Sequence, residues 1–384
     1  MKQYFIFCLS ILPITISCAQ KEYVLDDEMI YHISVDSISK TLNFDEIVED
    51  YIYIPLKKNP DYTIGKITQL LATEDRLFVV SDGIFCFDFE GNPIYSIINK
   101  GHARNEYVQC ESVSISDDLL YMYDRGKLQT HVYEASSGKF LYNIPSPAVN
   151  DIYRIGNAFV IEDLFHLYTK TPLSDKKNRF FVYNEDFGTL KYRAFGEEQH
   201  LHHIGEPTTL GNDCVLFSDL YACKLYKILP DKIVSYLQID CAPKYRNTTQ
   251  QILQDINGAD IKNDNLTWLQ HVCETEFHIY GHFIFKKESY QFIFDKMSKH
   301  CKFVCPFFDV ETPRIWSASL TDRHFSNDNY MIMSFTPDRL TVWQRRAKMN
   351  QLPPTHPDYK KQQIILDCKQ EDNPIVVMYK FKRF

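Results

Sequence analysis

"RLFVVSDGIFCFDFEGNPIYSI", Arg76 to Ile97, joins an apolar run, an acidic stop, a second apolar run, a turn and a third run, and the chain repeats this order. The phrase "LFVVSD" (77–82) returns as "LLYMYD" (119–124), "AFVIED" (158–163) and "CVLFSD" (214–219). A degenerate copy, "HFIFKK" (282–287), follows, and a sixth begins at "YMIMSF" (330–335). The acidic stops Asp82, Asp124, Asp163 and Asp219 lie 42, 39 and 56 residues apart. Periods of about 40 to 50 residues, each holding several short strands, mark a β-propeller. One four-stranded blade has two apolar faces and needs a neighbour against each, so the ring must close. A pair of β-sandwiches with coincidental spacing is the competing architecture, and four copies in phase weigh against it. The turns "FEGN" (89–92), "SSGK" (136–139) and "EDFG" (185–188) put Gly or Asn where hairpins need positive φ.

The composition is consistent with strands. Aromatic residues make up 14% of the chain, with 25 Tyr and 27 Phe, side chains that suit a pleated, half-buried surface. Glycine is scarce at 13 residues, about half the usual share of roughly 7%, so Asp, Asn and Lys must fill many turns. The formal charge of −8 is scattered with no basic stripe, which argues against nucleic acid as a partner.

The first residues carry an address. "MKQYFIFCLSILPITISC" has one basic residue, Lys2, and an apolar stretch from Tyr4 to Ile16, too short to span a bilayer and laid out like a secretory signal. It ends in Thr15-Ile16-Ser17-Cys18, which resembles the lipobox of bacterial lipoproteins, with Thr15 departing from the usual Leu. That resemblance implies cleavage before Cys18 and lipid on its thiol; an ordinary signal peptide cut near Ala19 is the alternative. Removing residues 1–17 takes away one lysine, leaving 41 basic against 50 acidic residues, or −9. Residues 18–44 read as a tether and 45–384 as the propeller. Two segments break the strand rhythm and read as helical insertions: 243–261, and 336–350, which is stopped by "LPPTHP". Of eleven cysteines none forms a CxxC pair, so zinc is disfavoured, and Cys86, Cys214 and Cys223 in apolar runs read as core residues.

The chain resembles the six-bladed β-propeller lipoproteins of Bacteroides-like bacteria, distant cousins of NHL-repeat propellers, over roughly residues 45 to 384. "YIPLKK…IGKI" (53–67) is similar to that family's opening strand, and "QEDNPIVVMYKFK" (370–382) to its last one. "KGHARNEY" (100–107) keeps the Lys, Gly, Glu and Tyr of its Lys-Gly-x-Gly-Pro-Gly-Glu-Tyr loop, but Ala103, Arg104 and Asn105 replace Gly, Pro and Gly. The resemblance implies a ring closed by pairing "YIYIPL" (51–56) with "IVVMYKF" (375–381), which would remove exposed edges. Most of the family has no assigned activity, so it implies fold and address more than function.

Candidate sites are few. Asp82, Asp124, Asp163 and Asp219 would form an acidic ring at one channel mouth, able to take a divalent cation, or each would simply end a strand and accept N–H bonds from the next turn. His200, His202 and His203, with Glu206, offer imidazoles for a ligand or metal, or lie in a solvated loop. Asp36-Ser37-Ile38 resembles short O-glycosylation sites of the same bacteria. No hydrolase elbow, P-loop or dinucleotide fingerprint occurs. The expectation is a monomeric, exported, lipid-anchored binding or scaffold propeller without a cofactor. A carbohydrate- or peptide-active lyase or hydrolase is the alternative, and a periplasmic sensor component a third.

Overall fold

The computed structural model describes residues 25–26, 29–35, 44–163, 178–196, 209–211, 213–219, 222–240, 268–285, 288–304 and 325–384. Three short segments open the described chain: β1 (Leu25–Asp26), β2 (Tyr31–Ser34) and, after the single-turn α1 (Phe44–Ile47), β3 (Val48–Pro55). Six small antiparallel sheets then follow in a ring. Blade 1 holds β4 (Gln69–Ala72), β5 (Leu77–Val80), β6 (Ile84–Phe87) and β7 (Pro93–Ile97). Blade 2 holds β8 (Cys110–Ser116), β9 (Leu119–Asp124), β10 (Gln129–Glu134) and β11 (Phe140–Pro145). Blade 3 has β12 (Asp151–Ile155), β13 (Ala158–Glu162), β14 (Asn178–Asn184) and β15 (Leu190–Gly196). Blade 4 has β16 (Thr209–Gly211), β17 (Cys214–Asp219), β18 (Lys224–Ile228) and β19 (Ile233–Asp240). Blade 5 comprises β20 (Trp268–Glu274), β21 (His278–Phe285), β22 (Glu288–Asp295) and β23 (Cys301–Val304). Blade 6 comprises β24 (Phe325–Ser326), β25 (Met331–Phe335) and β26 (Ile375–Phe381), completed by β3 from the other end of the chain. The protein is a six-bladed β-propeller.

The repeated apolar phrase is the second strand of each blade, and its two-sided burial explains why it is a continuous run. All four residues of β5 are buried: Leu77 and Val79 face blade 6, while Phe78 and Val80 face blade 2. Each of the six hydrophobic clusters lies between two neighbouring blades. Each fully buried large side chain is worth about 1.5–3 kcal/mol, and a lone blade would forfeit that on both faces. Cys86, Cys214 and Cys223 are buried free thiols, as their apolar surroundings predict.

Inner strands are also stitched by side chains. The Gln69 amide donates to the Val113 carbonyl (2.7 Å) and accepts from the Val113 N–H (3.1 Å). Ser112 bridges to both backbone groups of Ile152 (3.1 Å each), and the Arg154 N–H donates to Ser114 Oγ (2.8 Å).

Ring closure pairs the two end segments as expected. β26 pairs antiparallel with β3, Val377 opposite Tyr53 and Tyr379 opposite Tyr51. Part of the stretch read as a tether does more than connect: β1 and β2 pair parallel with β19, the outer strand of blade 4. Tyr31 packs its ring on Tyr236 (5.3 Å) and Phe294 (4.9 Å), strapping blades 4 and 5.

Of the two expected helical insertions, 243–261 lies outside the described residues. The other is α2 (Pro337–Met349), begun by Pro337 and followed by an unanticipated α3 (Tyr359–Asp367). Gln362 holds the connection, its amide donating to the Asn350 carbonyl (2.8 Å) and accepting from the Leu352 N–H (2.9 Å). No helix among the described residues is long and apolar enough to cross a membrane. The turn expectations hold at Gly91 and Gly138 (φ +77° and +70°), but in "EDFG" the left-handed residue is Phe187 (φ +58°) rather than Gly188. Phe187 stacks on Phe159 with ring centroids 4.2 Å apart, which offsets that strain.

Candidate functional site

With strands lettered A to D from the axis outward, A–B and C–D turns share one face of the ring, and B–C and D–A connections share the other. The four in-phase acids, the "KGHARNEY" loop and helices α2 and α3 all belong to the B–C face. Asp124, Asp163 and Asp219 are fully buried there, whereas the side chain of Asp82 is 94% exposed, 3.8 Å from Lys100. Asp124 accepts N–H bonds from Val108 (2.8 Å), Gln109 (3.0 Å) and Lys127 (3.2 Å), and Asp219 accepts one from Ala222 (3.1 Å). The Lys127 and Ala222 bonds are the local turn bonds that a strand-ending Asp makes, whereas Val108 and Gln109 belong to the loop before β8, which Asp124 ties to the end of β9. Among the described residues no three His, Cys, Asp or Glu are placed to hold a metal ion. His200, His202, His203, Glu206, Cys18 and the Asp36-Ser37-Ile38 stretch lie outside the described residues.

Asp124 has a partner that the spacing of acids did not reveal. His131 Nε2 lies 3.3 Å from its carboxylate, and both side chains are fully buried. Burial pulls the imidazole below its ordinary pKa despite the attraction of Asp124, so the ring is neutral and donates through Nε2. The family-like loop is likewise structural in what it retains. The Tyr107 hydroxyl donates to the Asp82 carbonyl (2.6 Å), and Glu106 accepts from the Ala103 N–H (2.9 Å). None of the three replaced positions, Ala103, Arg104 and Asn105, takes positive φ.

Among the described residues, a cavity lies on the opposite, A–B face. A funnel of about 690 Å³ is lined by Thr73 and Glu74 of blade 1, Ser116 and Asp117 of blade 2, and Arg154 and Gly156 of blade 3. Leu210 and Asp213 of blade 4 and Asn327, Asp328 and Asn329 of blade 6 complete it. Its rim is built from hairpin turns. A two-residue hairpin needs φ above zero, and Asp117, Asp118, Gly156 and Asp213 supply +51°, +61°, +50° and +54°. Asp is therefore placed by turn chemistry, and ring geometry aims the turns at one axis. This is where the acids that stand in for scarce glycine are found.

Two charged groups at this face are more deeply placed. Glu274, at the end of β20, receives Lys227 and Lys296 (2.8 Å each) and the Tyr236 hydroxyl, and its N–H donates to Ser326 Oγ (3.2 Å) beside the funnel. Burial pushes this carboxyl up, but Lys227 and then Lys296 outweigh burial and hold it below the usual range. Its lone pairs are committed to that network. Arg154 differs. Its side chain is 9% exposed and its guanidinium lies over Phe159 (5.0 Å) and Tyr121 (5.7 Å), with Glu185 at 3.5 Å.

Two crystal structures share this architecture. A Bacteroides fragilis protein provisionally described as exported superposes with a TM-score of 0.69 at 16% identity, covering 92% of this chain and 100% of its own. A Bacteroides vulgatus member of the DUF4221 family gives 0.51 at 10% identity, covering 88% and 98%. At such identities they support the fold alone. No curated protein matches the sequence. The match that covers nearly the whole ring is to a family model, which spans residues 30–380, and the chain belongs to that family, the domain of unknown function DUF4934.

Proposed function

We propose that this protein is an exported, lipid-anchored propeller of the cell envelope, a relative of NHL-repeat-like lipoproteins, that binds a small ligand or partner in the funnel on its A–B face. One observation carries the binding role: turns from five blades converge on a single cavity of about 690 Å³. That size falls in the range of about 300–1,000 Å³ in which ligand sites cluster. The rim offers carboxylates, amides and hydroxyls, which orient a polar ligand. No imidazole or thiol lines it among the described residues, and the adjoining Glu274 is held in its own ion-pair network. Turnover of a glycan or peptide that is lost in Asp117→Asn would replace binding by the lyase or hydrolase alternative.

A thermal-shift screen of amino acids, short peptides, glycans and divalent metals tests the seat. Ser116→Trp fills the funnel from β8 and should abolish any shift seen with the native protein; shifts that survive it place the ligand elsewhere.

The lipobox-like Ser17-Cys18 and the exported description of the Bacteroides fragilis neighbour support the address. The register Leu25↔Ile233 brings the chain in at the A–B side of blade 4, seven residues after Cys18. Seven residues can span at most about 25 Å, which bounds the distance between a lipid on Cys18 and β1. Cys18→Ser should abolish palmitate labelling and release the protein from membranes, and unchanged labelling would refute the anchor.

A further inference from the structure

We infer that the funnel takes a zwitterion: an amino acid or short peptide whose free carboxylate meets Arg154 while its free ammonium meets the rim carboxylates. This rests on the funnel being the ligand seat. Two independent features carry it. Among the described residues the lining holds four carboxylates, Glu74, Asp117, Asp213 and Asp328, against one cation, Arg154, a formal balance of −3.

The second feature is how little of Arg154 its neighbours use. The side chain is nine-tenths buried, yet Nε has no hydrogen-bond partner. Its ion pair with Glu185 spans 3.5 Å to a carboxylate that is itself 72% exposed. Phe159 and Tyr121 lie beside the guanidinium, their ring centres 5.0 and 5.7 Å from its central carbon, and neither accepts a conventional hydrogen bond from it. A guanidinium with donors to spare matches a carboxylate two bonds at a time. A ligand carrying only negative charge would be repelled by the rim, and one carrying only positive charge would be left facing Arg154. A molecule with both signs satisfies both groups.

The test is calorimetric titration of the full chain with trialanine, its N-acetyl form, its C-terminal amide and the doubly capped peptide. Trialanine should bind tightest, and capping either end should weaken it at least tenfold. Arg154→Gln should erase the penalty for amidation and keep the one for acetylation. The double variant Asp117→Asn, Asp213→Asn should do the reverse. Arg154→Lys retains the charge and should retain the preference for a free carboxylate, which guards against a misfolded glutamine variant. Equal affinity for all four peptides, or none for any at millimolar concentration, overturns the inference. Peptide binding that persists in Ser116→Trp overturns the funnel as seat. A different ligand whose binding is lost in Ser116→Trp, with free and capped peptides alike, leaves the seat and removes only the zwitterion.

Discussion

Val377→Asp should cost at least ~4 kcal/mol of the roughly 5–15 kcal/mol that holds a domain folded, read as a collapse of the urea midpoint. Val377 is fully buried on β26, opposite Tyr53 on one side and Met333 on the other, in the cluster that joins blades 5 and 6. A carboxylate there has no partner, and an unpaired buried charge must either be desolvated or take up a proton. The site is also where the ring closes, so the damage is not confined to one sheet. Opening it exposes the apolar faces of β3 and of its neighbours together, and limited proteolysis should cut first near residues 44–56. Val377→Ile, which preserves apolar character, should cost less than about 1.5 kcal/mol. A Val377→Asp protein that melts like the native one would mean that the closing strand does not carry the ring.

Acid should weaken the fold well above the carboxylate range. His282 on β21 is fully buried, with Tyr280 Oη at 3.2 Å and Gln291 Nε2 at 3.3 Å from its Nε2. Burial, then the neighbouring His271, pushes its pKa down to about 3. A histidine depressed in this way is neutral when folded and takes up a proton when unfolded. Its contribution is fully present above the unfolded value of about 6.5 and is lost as pH falls toward about 3. At pH 5 the loss from this one residue is about 2 kcal/mol. His131 and His278 are lowered mainly by burial and add in the same direction. Glu274 and Asp295 are held low by their partners and act in a separate window, below the ordinary carboxylate range. Urea midpoints at pH 7 and 5 check this. His282→Gln cannot take up the proton and should recover about 2 kcal/mol of the difference; an unchanged difference would show that His282 is not its source.

Much of the fold was legible because its cause is local. An apolar run such as Phe78 to Val80 has to be covered on both faces, and the period of the phrase states how often. The pairing of 51–56 with 375–381 was also readable, from the resemblance of the two ends. The candidate site was less accessible, although a trace of it is present in the order of residues. "TED", "SDD", "GN", "ND" and "NDN" each stand immediately or one residue before an apolar phrase, at 73–75, 116–118, 156–157, 212–213 and 327–329. The acids after each phrase drew the attention instead, and three of the four proved to be buried, Asp219 in a local turn bond and Asp124 bonded both to its own turn and to the loop before β8.

Residue order by itself determined the repeated apolar strands, their spacing along the chain and the need for a closed ring, since each of these follows from short-range periodicity and the cost of exposed apolar faces. Only the tertiary structure decided which acids share a cavity. Asp117 and Asp213 are 96 residues apart in the chain, and nothing local relates them until six sheets close around an axis and turn both toward it.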